Sequence, residues 1–86
     1  MACLHIVNCA EAMKRCVRIC ASGDIVVMIE DAAYCTVGDA LPDGVMAYVL
    51  DADARARGVQ HLLRSSLLTH DDFVDLTVAH ETIVSW

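Results

Sequence analysis

Apolar and polar positions change their period several times along the chain, and each change marks an element. Between Gly23-Asp24 and Glu30-Asp31 stand five apolar residues in succession, Ile25 to Ile29. A short run that is rich in β-branched residues and apolar on both faces fits a strand in the middle of a sheet, covered above and below. Upstream, Leu4, Ile6 and Val7 read as a first strand interrupted by His5, with Asn8 closing it. Met13, Cys16, Val17 and Cys20 then recur at helical spacing, opposite Glu11, Lys14, Arg15 and Arg18. This predicts an amphipathic helix from about Cys9 to Ala21. Asn8 followed by Glu11 has the form of a capping box, and Glu11 with Arg15 is an i, i+4 ion pair of the favourable order. Ser22-Gly23 ends the helix, with Gly23 suited to a positive φ.

Downstream of the central run, Asp31 to Val37 is expected to form a short helix or turn capped by Asp31. Gly38 to Gly44 holds the only Pro and two of the four Gly, which predicts a surface loop. Val45 to Leu50 reads as a third strand. Asp51 is placed to cap a short helix, Ala52 to Arg57, stopped by Gly58. A weak fourth strand falls at Ser66-Leu67-Leu68. Thr69 with Asp72 resembles another capping box, opening a helix to about His80 with Phe73, Leu76 and Val74 facing inward. Thr82 to Trp86 forms a last short strand. Strands alternating with helices predict an α/β fold: a small, single-domain (residues 1–86), doubly wound, mainly parallel sheet of flavodoxin-like type with right-handed crossovers.

Composition changes this picture in one respect. The chain has 86 residues, of which 57% are hydrophobic, and its mean hydropathy is +0.50. So small a domain buries a limited share of its surface, so part of this apolar material is expected in a subunit interface. No run approaches the length of a membrane span, and the N-terminus has no basic segment followed by an apolar core. A cytoplasmic location is expected, where the five cysteines are thiols rather than a disulfide framework. The net charge is −6, and the six Lys and Arg are scattered. Direct nucleic-acid binding is therefore not expected.

Chemistry in this chain rests on its thiols. There is no Cys-x-x-Cys, and among the cysteines at 3, 9, 16, 20 and 35 only Cys16 and Cys20 stand one helical turn apart. They make half a metal site, and spacing supplies no second half, so neither metal nor cofactor is expected. Cys9 falls at the first turn of a helix just after a strand, where the helix dipole and free N–H groups favour a thiolate. The alternative is a small residue filling a tight turn. Cys16 and Cys20 lie on the apolar stripe, where a buried cysteine behaves as a small hydrophobe. Glu30 and Asp31 end the central strand, either orienting a ligand in a crevice with Asn8 and Cys9 or simply capping and facing water. No dyad spacing appears among His5, His61, His70 and His80, and no phosphate loop, nucleophile elbow or zinc-protease motif is present.

Taken together, several segments resemble the DsrH/TusB family of sulfur-relay subunits. Leu4-His5-x-Val7-Asn8 is similar to its opening strand, and Ala21-Ser22-Gly23-Asp24 with the apolar run and Glu30-Asp31 to its central signature. Tyr48-x-Leu50-x-x-Asp53-x-x-Ala56-Arg57-Gly58, then Asp72 to Thr77 and the final Ser85-Trp86, follow in the family's order. The resemblance implies a DsrEFH-like fold. It also implies a hetero-oligomer with DsrE/TusD-like and DsrF/TusC-like subunits, two copies of each, delivering persulfide sulfur to an acceptor of the DsrC/TusE type. The sulfur would serve tRNA wobble-uridine 2-thiolation or dissimilatory sulfur oxidation. The main acceptor cysteine of such complexes belongs to the DsrE/TusD-like subunit. DsrH-type members carry a cysteine in the first helix, eight residues before the turn aspartate. Cys16 stands eight residues before Asp24, which implies a persulfide-carrier role for Cys16, with Cys9 as the alternative thiol. Ala32 departs from the family, which commonly has Gly after Glu-Asp. The chain is thus expected to be an accessory sulfur-carrier subunit. The other readings are a homo-oligomeric small-ligand binding module of the same fold and a stand-alone thiol enzyme.

Overall fold

A computed structural model describes residues 2–35, 41–59 and 67–86. Among these residues five strands form one parallel sheet in the order β4-β3-β2-β1-β5, with β1 at Leu4–Val7, β2 at Ile25–Met28, β3 at Met46–Leu50, β4 at Leu67–Leu68 and β5 at Ile83–Ser85. The apolar run is the middle strand, as expected. It pairs with β1 from Leu4↔Ile25 to Val7↔Met28 and with β3 from Ile25↔Met46 to Met28↔Val49.

Side chains alternate across β2. Val26 and Met28 join Val7, Ala12, Cys16, Ala32, Ala33, Val49 and Ala54 in one buried cluster. Val27 joins Leu4 and Leu68 in another, against which Ile6, Phe73 and Leu76 pack. Helix α1 (Ala10–Ile19), a 3-10 helix (Glu30–Tyr34) and α2 (Asp51–Ala56) therefore cover one face. Helix α3 (His70–Ala79) covers the other. Successive right-handed crossovers from β1 to β4 place their helices on one side, and the return from β4 to β5 places α3 on the opposite side. The doubly wound α/β class is as expected, with its single reversal after β4. The carboxyl ends of β1, β2 and β3 thus all lead to the same face, and in the sheet the direction of winding changes between β1 and β5.

The two faces are unequally covered. On the first, small residues (Ala12, Cys16, Ala32, Ala33, Ala54) let the helices sit close to the sheet, and all are buried. On the second, α3 has no fully buried residue. Val74 is 44% exposed and Val78 81% exposed, which corrects the inward placement expected for Val74. One turn apart, both lie on the side away from the sheet. Ile19, Tyr34, Met46 and Ile83 are further large apolar residues left in water.

Local details differ from the sequence reading at the caps. Helix α1 is capped by Cys9, whose Sγ accepts the Ala12 N–H at 3.5 Å, and not by Asn8. Glu11 lies beside Lys14 at 3.5 Å instead of closing a capping box or meeting Arg15. The 3-10 helix begins at Glu30 with no side-chain cap, so Asp31 lies inside it and accepts from Arg57 Nε at 3.1 Å. Asp51 is the first residue of α2 and accepts from Arg55 Nε at 2.8 Å. The Thr69 cap on Asp72 N–H forms as expected, at 3.1 Å. The Gly38 end of the loop, His61 and the start of the fourth strand at Ser66 lie outside the described residues.

Candidate functional site

Two groups of thiols occupy opposite ends of α1. At its C-terminal end, Cys16 is fully buried on the inner stripe. Cys20 is the C-cap, with ψ 139°, and its N–H bonds the Cys16 carbonyl at 3.0 Å. Their Sγ atoms are 3.4 Å apart. The helix runs back across the sheet, so this end lies over the amino ends of β1 and β2. There His5, which shares its face of β1 with Val7, and Asp24, in the turn just before β2, meet the thiol pair. A His5 ring nitrogen and the two sulfurs all lie within 4.8 Å of one another. His5 also belongs to a second such group with Cys3 and Asp24.

Asp24 is the organising residue of this corner. It is 4% exposed. Its Oδ1 accepts the Cys3 N–H at 2.9 Å, and its Oδ2 accepts from His5 Nε2 at 2.9 Å and from the Ala21 N–H at 3.1 Å. One carboxylate thereby ties the start of β1, the turn after α1 and the start of β2. Burial pushes its pKa up, but the bonds from Cys3, His5 and Ala21 outweigh burial and hold the carboxyl down at about 2. On the far side of the imidazole, Trp86 Nε1–H donates to His5 Nδ1 at 3.1 Å, and the two rings stack at 6.1 Å. An indole N–H only donates, so Nδ1 carries the lone pair and the ring proton sits on Nε2, pointing at Asp24. Both nitrogens are thus engaged in a Trp86–His5–Asp24 relay, so His5 acts on a thiol or a ligand only after one of these bonds is given up.

The thiols themselves are held protonated. Burial, and then the neighbouring Cys20 and Asp24, push Cys16 up to about 12. Cys20 is also raised, by burial first and by the charges of Asp24 and Cys3, against a lowering from its hydrogen bond with Cys16. A pKa near 12 leaves roughly one molecule in 10⁵ as thiolate at pH 7. The site as it stands stores thiols; it does not activate them.

At the other end of α1, Cys9 is half-buried as the helix cap. The thiol of Cys35 is raised by burial and then by Cys9. The two candidate thiols, Cys16 and Cys9, are therefore not parts of one site. Glu30 lies at this end with φ +51°, a left-handed conformation uncommon for a non-glycine residue. Its N–H is held by Asp53 Oδ2 at 2.7 Å, and Arg57 Nη1 bonds the Asp53 carbonyl at 3.4 Å. His80 donates Nδ1–H to the Leu76 carbonyl at 2.9 Å and is accounted for by the helix end.

The roles of His5, Asp24 and Trp86 were not assigned from sequence. A lone polar residue inside an apolar strand was the available signal for His5. Nothing local announces Trp86, which reaches His5 across 81 positions of chain.

Residues 8–83 match the family described as DsrH-like protein. The chain is 29% identical, over 94 aligned residues, to Protein TusB of Pectobacterium atrosepticum, an alignment covering 96% of this chain and 99% of that protein. Its fold is similar to the solution NMR structure of protein Tm0979 from Thermotoga maritima, with a TM-score of 0.69 at 21% identity over 94% of this chain and 95% of that one.

Proposed function

The chain belongs to the DsrH family, and on that premise we propose that it is a subunit of a sulfur-relay hetero-oligomer. The observation carrying this reading is the family match itself, which runs through nearly the whole chain. In the proposed complex, DsrE/TusD-like and DsrF/TusC-like subunits accompany this chain in the cytoplasm. Sulfur moves as cysteine persulfide toward a DsrC/TusE-type acceptor, for tRNA 2-thiolation or for sulfur oxidation. The exposed Val74, Val78 and Ile83 support a subunit that expects company.

Within that complex this chain acts mainly as architecture, with Cys16 as a secondary persulfide site and Cys9 as the alternative. Sulfur transfer requires a thiolate to attack the outer sulfur of a donor persulfide, expelling the donor's thiol. Cys16 meets that requirement only when a neighbouring subunit opens the corner or supplies positive charge, because in this chain it is fully buried and its thiol is pushed up to about 12.

The test is intact mass of the co-purified complex after treatment with a persulfide donor, wild type beside Cys16→Ser and Cys9→Ser. One sulfur gained by this chain and lost only with Cys16→Ser supports the carrier role. Loss only with Cys9→Ser moves it to the helix cap, and sulfur on the other subunits alone leaves this chain a scaffold. A chain that fails to assemble with the two related subunits, or forms a homo-oligomer that ignores them, overturns the reading and favours a small-ligand binding module.

A further inference from the structure

The sulfur-relay reading uses one inner thiol and leaves unexplained why a second thiol and an oriented histidine converge on it. Cys16 and Cys20 present their sulfurs 3.4 Å apart, and a ring nitrogen of His5 lies within 4.8 Å of both. We propose that Cys16, Cys20 and His5 form a binding site for a thiophilic divalent cation of the zinc type.

The donor set argues for that class of ion. Two thiolates and an imidazole are the ligands that zinc takes in tetrahedral sites, and they disfavour hard cations such as magnesium or calcium. The size also fits. Two Zn–S bonds of about 2.3 Å at a tetrahedral angle separate the sulfurs by about 3.8 Å. The observed pair must open by only about 0.4 Å to reach that separation, starting from 3.4 Å. Cys20 is free to make that adjustment, since at the helix cap it has left helical geometry and is only half-buried.

The surroundings of His5 match those of a metal-ligating histidine. Such a residue characteristically gives its other ring N–H to a carboxylate, which fixes the tautomer and raises ligand basicity. Here Nε2–H already points at Asp24 Oδ2 at 2.9 Å. Nδ1 carries the lone pair and accepts the Trp86 indole N–H at 3.1 Å, so ligation through it displaces the indole. Any cation on His5 disturbs this relay, so the chain's single tryptophan reports on occupancy. Asp24 has its oxygens filled by three N–H donors and is better placed as the orienting carboxylate than as a ligand. The fourth position is left to a water. Binding is balanced by release of the two thiol protons to solvent, with no change of oxidation state. Cation binding here is independent of sulfur transfer and needs no sulfur donor.

The full-length reduced chain is titrated with Co(II) as an optical probe and then with Zn(II), following absorbance and Trp86 fluorescence together. The expected result is one Co(II) per chain with a thiolate-to-cobalt charge-transfer band, a parallel change in Trp86 emission, and displacement by Zn(II). Cys20→Ser, at a half-buried position that should still fold, loses the band and binds at least about 100-fold more weakly. Asp24→Asn, checked for folding by far-UV circular dichroism, retains the band but binds about 10- to 100-fold more weakly. Cys35→Ser is unchanged. Absence of the charge-transfer band in the wild type, or its persistence in both Cys16→Ser and Cys20→Ser, overturns the proposal.

Discussion

Replacing Asp24 by Asn tests the account of how this corner is held. The carboxylate is 4% exposed and accepts from Cys3, His5 and Ala21. Its pKa falls from 3.8 to about 2 on folding. A group whose folded pKa is depressed contributes stability that is present above its unfolded pKa and is lost as pH falls through the folded one. The shift from 3.8 to about 2 is worth about 2 kcal/mol at pH 7. Asn keeps the shape but turns an NH₂ toward one of the N–H donors, and a buried unsatisfied donor costs about 1–3 kcal/mol. The two views describe overlapping parts of one loss, so Asp24→Asn is expected to cost about 2–4 kcal/mol at pH 7. Against the total stability of about 5–10 kcal/mol usual for a domain of this size, that is a large fraction.

Urea denaturation followed by far-UV circular dichroism, at several values between pH 7 and pH 3, measures the effect. The other carboxylates titrate in both proteins, so the difference between the two curves isolates Asp24. By pH 3, between the folded value of about 2 and the unfolded value of 3.8, about half of the Asp24 contribution is gone. The gap between wild type and variant should therefore narrow by about 1 kcal/mol. A gap below about 1 kcal/mol at pH 7, or one that stays constant down to pH 3, refutes the reasoning. The first outcome would mean the hydrogen bonds are not holding the corner, and the second that their strength does not depend on the carboxylate charge.

Three other expectations follow from the same geometry. In the native state at pH 8, alkylation of Cys16 followed by peptide mass mapping should run about 10³-fold slower than in the urea-unfolded chain, because its thiol is buried and pushed up to about 12; equal rates would show that the corner opens freely. Glu30→Gly should stabilise the fold by about 0.5–1 kcal/mol in urea melts, since relief of a left-handed φ of +51° outweighs the added freedom of the unfolded chain; destabilisation would mean the Glu30 side chain makes a compensating contact. Gly44→Ala should cost about 1–3 kcal/mol in the same assay, because Gly44 has φ +82° and a Cβ there runs into the Ser22 side chain while the Gly44 carbonyl holds Gly23 N–H at 2.9 Å.

What could be read along the chain and what could not differ in their physical range. The middle strand was legible because burial on both faces demands an unbroken apolar run, and Ile25 to Ile29 is one. Helix α1 was legible by its stripe, but its cap was not. Asn8 is the better capping residue by preference. The β1–β2 ladder decides instead, since the Val7 carbonyl is still engaged by Ile29 N–H at 2.9 Å and the helix starts one residue later than the Asn8 cap required. Val74 was misplaced because α3 is apolar on two sides, and periodicity alone does not say which one meets the sheet.

The thiol corner shows the same limit in its sharper form. Cys16 and Cys20 were visible as a pair because a helix brings i and i+4 together, and on that evidence they were half of a site. His5 joins them from β1, Asp24 from the turn before β2, and Trp86 from the last position of the chain. Each of those residues has an adequate local reading as an interrupted strand, a turn aspartate or a terminal aromatic. Only the parallel register of β5 on β1, with Trp86 N–H bonded to the Ile6 carbonyl at 2.8 Å, delivers the indole to the imidazole. Burial then gives the assembled group its chemistry. Desolvation makes Cys16 a poor nucleophile while the chain stands alone. The same low-dielectric setting strengthens its attraction for any positive charge that enters, whether a cation bound between the thiols or a basic side chain of a neighbouring subunit. The state of this corner is therefore set by what is placed against it, and the cobalt titration and the sulfur-transfer experiment probe two different ways of supplying that charge.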